Sequence, residues 1–242
     1  MWRLNEDWKT AYLQLEKIDW SEQDVNPFSV VYKNKLALEV LLELGYDPTL
    51  NNSEALEYAA QENDLDSVII LLKDGRSDPG VGNNDPLVTL IDNGELEWSK
   101  RVLSDSRVDP SGSGSGNRVL ILACARGYTE IVKLLLADPR VNPTEQDSFS
   151  NDPLTAAAEN GQVEVIRLLL ADPRVDPNEP EGNAIISAAW EGQYLSVVEL
   201  LSDRRVDPTI RDNEALREAI NNNHTETARL LLSDPRVAST WK

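Results

Sequence analysis

The chain has 242 residues, 40% of them hydrophobic, which supports a buried core and argues against wholesale disorder. Forty-two acidic side chains against 23 basic ones give a net charge of −19, a field that repels phosphate backbones. That balance excludes nucleic acid as the expected partner and favours a basic protein or peptide, although the same acidity also serves the solubility of an elongated molecule. No apolar run approaches the roughly 18 residues needed to cross a bilayer, so no membrane partner is expected. The opening MWRLNEDWKT lacks the apolar core of a secretory signal. Cys124 stands alone, so no intrachain disulfide can form. A reducing compartment follows as the expectation, cytoplasmic or nuclear.

In chain order, residues 1–26 place Leu4, Trp8, Tyr12, Leu15 and Ile18 near helical spacing and predict an N-terminal helical cap. Residues 27–50 predict a divergent, truncated first repeat ending in Leu44-Gly45-Tyr46-Asp47-Pro48. From residue 51 the sequence is periodic. One anchor is the apolar residue Leu56, Leu87, Leu120, Leu154, Ile185 or Leu216; the other is the following Pro79, Pro110, Pro143, Pro177 or Pro208. Anchor to proline is 23 residues in all five complete bodies, whereas proline to the next anchor is 8, 10, 11, 8 and 8. A body of fixed length with one variable loop is the pattern of a stacked array, whose elements must register with their neighbours.

Each body reads as two helices. In NDPLTAAAENGQVEVIRLLL, Asp152 suits an N-cap and Pro153 the first helical turn, where a missing N–H costs nothing. Small pairs follow at Ala59–Ala60, Ala123–Cys124, Ala157–Ala158 and Ala188–Ala189, letting a neighbouring helix approach closely. Gly94, Gly127, Gly161 and Gly192 end the short helix. A second helix through Val165, Ile166, Leu168, Leu169 and Leu170 is apolar over too wide an arc for a lone amphipathic helix, so covering neighbours are expected on more than one side. The loop phrase DPRVDP then returns the chain, Asp and Pro being suited to the first two positions of a type I turn.

Helix, turn, helix and loop in this order resemble the ankyrin repeat over residues 27–240, with the Pro-Leu, Ala-Ala, Gly-turn and Val-Leu-Leu spacing of that family. Pro-Leu occurs only at 86–87 and 153–154, and DPRVDP replaces the family's Gly-Ala-Asp segment. The resemblance implies an all-α solenoid of helix-turn-helix units with extended loops: six repeats over 51–242 in one continuous domain. ARLLLSDPRVAST departs by putting Ala238-Ser239 where Asp-Pro is expected, which predicts the end of the array, with Trp241 shielding the last repeat.

Two columns are complete. Asp74, Asp105, Asp138, Asp172, Asp203 and Asp234 each precede by two residues Arg76, Arg107, Arg140, Arg174, Arg205 and Arg236. Stacking turns these into ladders, read as Arg–carboxylate pairs that cap helix-end carbonyls rather than as a track for acidic partners. His224 takes the place of the family's turn histidine, a structural hydrogen-bonder; Cys124 lies in the small-residue column and reads as packing. With one histidine, one cysteine and no phosphate-binding glycine loop, neither catalysis nor a metal or other cofactor is expected.

Binding is therefore sought on surface. The resemblance implies a concave face lined by loop tips and by first-helix positions two, five and six after the anchor, including Thr89 and Ala156. On it Tyr58, Leu122, Arg126, Trp190 and Glu191 are the candidate partner-binding residues, with Phe149 at the tip of the longest loop, TEQDSFSN. The expected function is non-catalytic binding of a basic protein partner by a monomer. The alternatives are an acidic inhibitor or nucleic-acid mimic in a basic enzyme site, and a purely architectural scaffold. The loop SGSGSGN at 111–117 differs from all its neighbours; its Gly-Ser alternation resembles an engineered linker standing in for a longer natural insertion. The encoding gene decides this, since an unaltered SGSGSG in the genome would end the reading.

Overall fold

A computed structural model describes residues 28, 31, 34–111, 117–146, 151–180 and 182–241. The expected helical cap at 1–26, most of SGSGSG and Phe149 lie outside the described residues. Among the described residues there are fourteen helices and no strand. The chain divides into two compact units, Met1–Asp109 and Pro110–Lys242.

The first unit contains α1 (Lys35–Glu43), α2 (Leu50–Gln61), α3 (Leu65–Asp74), α4 (Val81–Asp92) and α5 (Leu96–Leu103). Here α2 packs on α4 and α1 on α3, while each first helix also packs on its own second helix. The second unit contains α6 (Arg118–Arg126), α7 (Thr129–Ala137), α8 (Pro153–Glu159), α9 (Val163–Ala171), α10 (Asn183–Trp190), α11 (Tyr194–Ser202), α12 (Ile210–Asn221), α13 (Thr225–Ser233) and α14 (Pro235–Thr240). First helices α6, α8, α10 and α12 pack in sequence, and second helices α7, α9, α11 and α13 pack in a parallel layer.

The anchors are the core. Leu56, Leu87, Leu120, Leu154, Ile185 and Leu216 are all buried, as are the small pairs after them. Cys124 is among these, and burial pushes its thiol far above its ordinary value, so it packs as a small apolar group. Burying a leucine of this kind contributes roughly 1.5–3 kcal/mol. The second helices bury a narrower stripe than their composition suggests: Val165, Ile166 and Leu169 are buried in α9, whereas Leu168 and Leu170 are only half-buried. The second helices α7 and α11 pack on two sides of α9, and its third side is left to solvent.

Asp152 caps α8 as its side-chain type dictates, accepting from the N–H groups of Leu154 (2.9 Å) and Thr155 (3.0 Å), with Pro153 at the first turn. The first turns of α2, α4 and α12 hold three consecutive left-handed residues: Asn51–Ser53, Gly82–Asn84 and Arg211–Asn213. The last of each triplet reaches across to the repeat's own closing segment. Ser53 Oγ accepts from Asp78 N (2.8 Å), Asn84 Nδ2 donates to Asp109 O (2.6 Å), and Asn213 Oδ1 accepts from Thr240 (3.0 Å). Asparagine tolerates this backbone better than most side chains, and its amide serves both roles.

The phrase DPRV forms the joint between repeats. In 172–175 the Val175 N–H donates to Asp172 O (3.1 Å), closing the turn, and the Asp172 carboxylate accepts from Arg174 N (3.0 Å), Nε and Nη2. All six Asp–Arg pairs form, at 2.6–2.7 Å. The guanidinium then reaches back one repeat. Arg174 donates to Val141 O and Leu136 O, Arg205 to Val175 O and Leu170 O, and Arg236 to Val206 O; in the first unit Arg107 donates to Ser77 O and Arg76 O. The valine that follows is buried: Val108, Val141, Val175, Val206 and Val237. At 234–240 the chain continues into α14 instead of an extended loop, and Trp241 is left exposed. Asp234 N-caps that helix through Arg236 N, because Pro235 at its first position leaves no competing donor.

The arginines hold Asp105, Asp138, Asp172, Asp203 and Asp234 below the usual carboxylate range, chiefly through their side-chain hydrogen bonds. Depressed folded-state values stabilise the fold fully above the ordinary aspartate value of about 4, and that contribution is lost as pH falls through the lower, folded values. Acidification from about pH 5 to about pH 2 should therefore lower the urea midpoint, and less so in Arg205→Ala, which isolates the joint from the general relief of charge repulsion. At pH 7 Arg205→Ala should cost about 1 kcal/mol, most of its charge-assisted bonds being partly screened by solvent. Arg204→Ala, on the exposed neighbour, should cost less than about 0.5 kcal/mol.

Candidate functional site

The turn between the two helices of a repeat fixes the exposed end of the preceding first helix. Gln162 Nε2 donates to Ala125 O (3.2 Å), Gln193 Nε2 to Glu159 O (3.0 Å) and His224 Nε2 to Trp190 O (2.8 Å). His224 thus has the hydrogen-bonding place expected of it. Gln162 and Gln193, eight residues after their anchors, do the same and were legible only from that shared offset. The contact explains the glycine column. A Cβ on Gly192 would lie 2.4 Å from His224 Nδ1, and its φ of +69° is left-handed.

The second unit presents Leu122 half-buried and Arg126 exposed on α6, and Trp190 and Glu191 exposed at the end of α10. Glu159, at the end of α8, stands between them in the stack. Partial burial, and after it the Glu191 charge, push its carboxyl above the ordinary value. A carboxyl raised in part by a neighbouring glutamate favours a cation. Trp190 is 52% exposed beside them, its backbone carbonyl held by His224. Tyr58 is exposed on α2 and belongs to the first unit; Phe149 lies outside the described residues.

Two positions expected on this face are not available. Thr89 is buried, its hydroxyl donating to Ala60 O (3.0 Å) and tying α4 to α2, and Ala156 is buried under the neighbouring first helices. At position two after the anchor Tyr58 is exposed and Leu122 and Ser187 are half-buried, so exposure there varies from repeat to repeat. Glu159, expected on this face from position five after the anchor, is half-buried there.

Among the described residues, no group of His, Cys, Asp and Glu has the geometry to hold a metal ion, and no helix is long and apolar enough to cross a membrane. A cavity of about 490 Å³ lies in the second unit, lined by Asp152, Arg174, Asp176 and Glu179 among others. Asp152 is engaged there as the cap of α8.

No curated protein matches the chain. A family model described as "Ankyrin repeats (3 copies)" matches it three times, at residues 28–147, 81–181 and 120–212. These matches span most of the sequence and coincide with the helix pairs and their joints, so the chain belongs to the ankyrin repeat family.

Proposed function

We propose that the chain is a monomeric, non-catalytic module that binds a basic surface or segment of a partner protein on the exposed ends of its first helices and its loop tips. Ankyrin repeats are in general protein–protein interaction modules; the basic character of the partner is the finer reading. One observation carries it: Trp190, half-exposed and pinned through its carbonyl, beside Glu191 and the raised Glu159. A large rigid aromatic next to two carboxylates suits an arginine or lysine, which can stack on the indole while its charge meets the glutamates. Leu122 and Arg126 extend this surface within the second unit, and Tyr58 contributes in the first. Because the turns fix the backbone beforehand, little ordering cost attends binding.

Titration with an arginine- and lysine-rich peptide lacking large apolar residues tests the reading. Trp190→Ala should weaken binding at least about tenfold while moving the melting temperature by less than about 2 °C. Raising salt from about 50 to about 500 mM should weaken it further. Equal losses of binding and stability would make Trp190 a packing residue, and salt-independent affinity would contradict the electrostatic part.

A further inference from the structure

Three of the six second helices carry a solvated acid–base pair at positions that α11 fills with apolar residues. Ten residues after the anchor stand Asp66, Glu97, Glu130, Glu164, Leu195 and Glu226; thirteen after it stand Ile69, Lys100, Lys133, Arg167, Val198 and Arg229. In α5, α7 and α9 these positions make exposed acid–base pairs three residues apart: Glu97–Lys100 at 2.9 Å, Glu130–Lys133 at 2.7 Å and Glu164–Arg167 at 2.7 Å. In α11 the pair is replaced by Leu195, 64% exposed, and Val198, 38% exposed, with Tyr194 beside them 40% exposed. Their spacing puts all three on the outward side of one helix. The burial of Ser196, Val197 and Leu200 shows that the inward side of α11 is already packed. Packing therefore does not require these residues. A charged pair would satisfy the helix, as Glu164–Arg167 does in the neighbouring α9.

We propose that this face of α11 is a second docking surface, separate from the Trp190 surface, and that its occupant is an amphipathic basic helix of a partner protein. The charges around it select that occupant. In the column of Leu195, Glu164 on α9 and Glu226 on α13 are both exposed, on helices that pack against α11. Arg167 is held between Glu164 and Glu199, at 2.7 Å from each, and Arg229 on α13 stands exposed in the column of Val198. An apolar strip between acidic flanks matches a helix with an apolar stripe and lysine or arginine on either side of it. A second copy of this chain brings its own charge of −19 to the contact and is disfavoured by repulsion.

The test is a titration of the isotopically labelled full chain, followed by amide NMR shifts. One synthetic peptide carries leucine at i, i+3, i+4 and i+7 with lysine flanks; a control keeps every lysine and replaces leucine by glutamine. The leucine peptide should shift amides of α11 around 194–198 and bind at least about tenfold more tightly than the control. The double substitution Leu195→Glu with Val198→Lys restores the chain's own surface pair, so it should leave the melting temperature within about 2 °C of the parent and remove that tenfold preference. Trp190→Ala should leave the preference intact, which separates this surface from the other. Shifts mapping away from α11, an undiminished preference in the double variant, or a dimer in sedimentation that the double variant dissociates would each overturn the proposal.

Discussion

A guanidinium that bonds its own aspartate and the carbonyls of the preceding repeat is the constraint on which each unit depends. A helix that ends at a sharp turn leaves carbonyls without partners, and in a stack those ends lie between repeats, where a bare acceptor is costly. Arg205 answers both Leu170 O at the end of α9 and Val175 O in the loop after it, while Asp203 keeps its charge compensated and its side chain extended. The turn that presents Arg205 also buries Val206. One phrase of four residues therefore closes a helix, turns the chain, fills the core and fastens two repeats. That concentration of tasks explains why it varies less than any other stretch.

The other contacts between repeats follow the same logic of matched backbone groups. At the loop side, Ser53, Asn84 and Asn213 meet the segments that close their repeats. At the turn side, Gln162, Gln193 and His224 meet the ends of the preceding first helices. With both ends of a helix pair tied, side chains facing solvent are free to vary without loss of register. Variation is thereby confined to surfaces that partners can read.

Much of this was legible in the sequence because it rests on spacing. The fixed interval from anchor to proline required registered stacking, and the buried anchors and small pairs stand where that interval placed them. The Asp and Arg columns could be paired on paper because a two-residue offset admits a bidentate contact. The left-handed triplets at Asn51–Ser53 and Arg211–Asn213 were not legible, since asparagine and aspartate in a loop signal a turn without fixing its hand. Nor was the burial of Thr89 and Ala156, because the lean of a side chain toward one neighbour depends on how the helices cross. On the candidate surface, Trp190 stood out by its size, whereas the nearness of Glu159 to Glu191 depends on the packing of α8 against α10.

The central claim is that the most repeated phrase is a joint and that recognition lies where the repeats differ. Native-state hydrogen exchange on Arg205→Gln, read beside binding of the basic peptide, tests it most directly. Protection should fall in the last turn of α9 and in residues 172–176, whose carbonyl acceptors Leu170 and Val175 lose their donor, while peptide affinity stays within about twofold. Unchanged protection together with lost affinity would contradict the account and make the arginine ladder the binding surface.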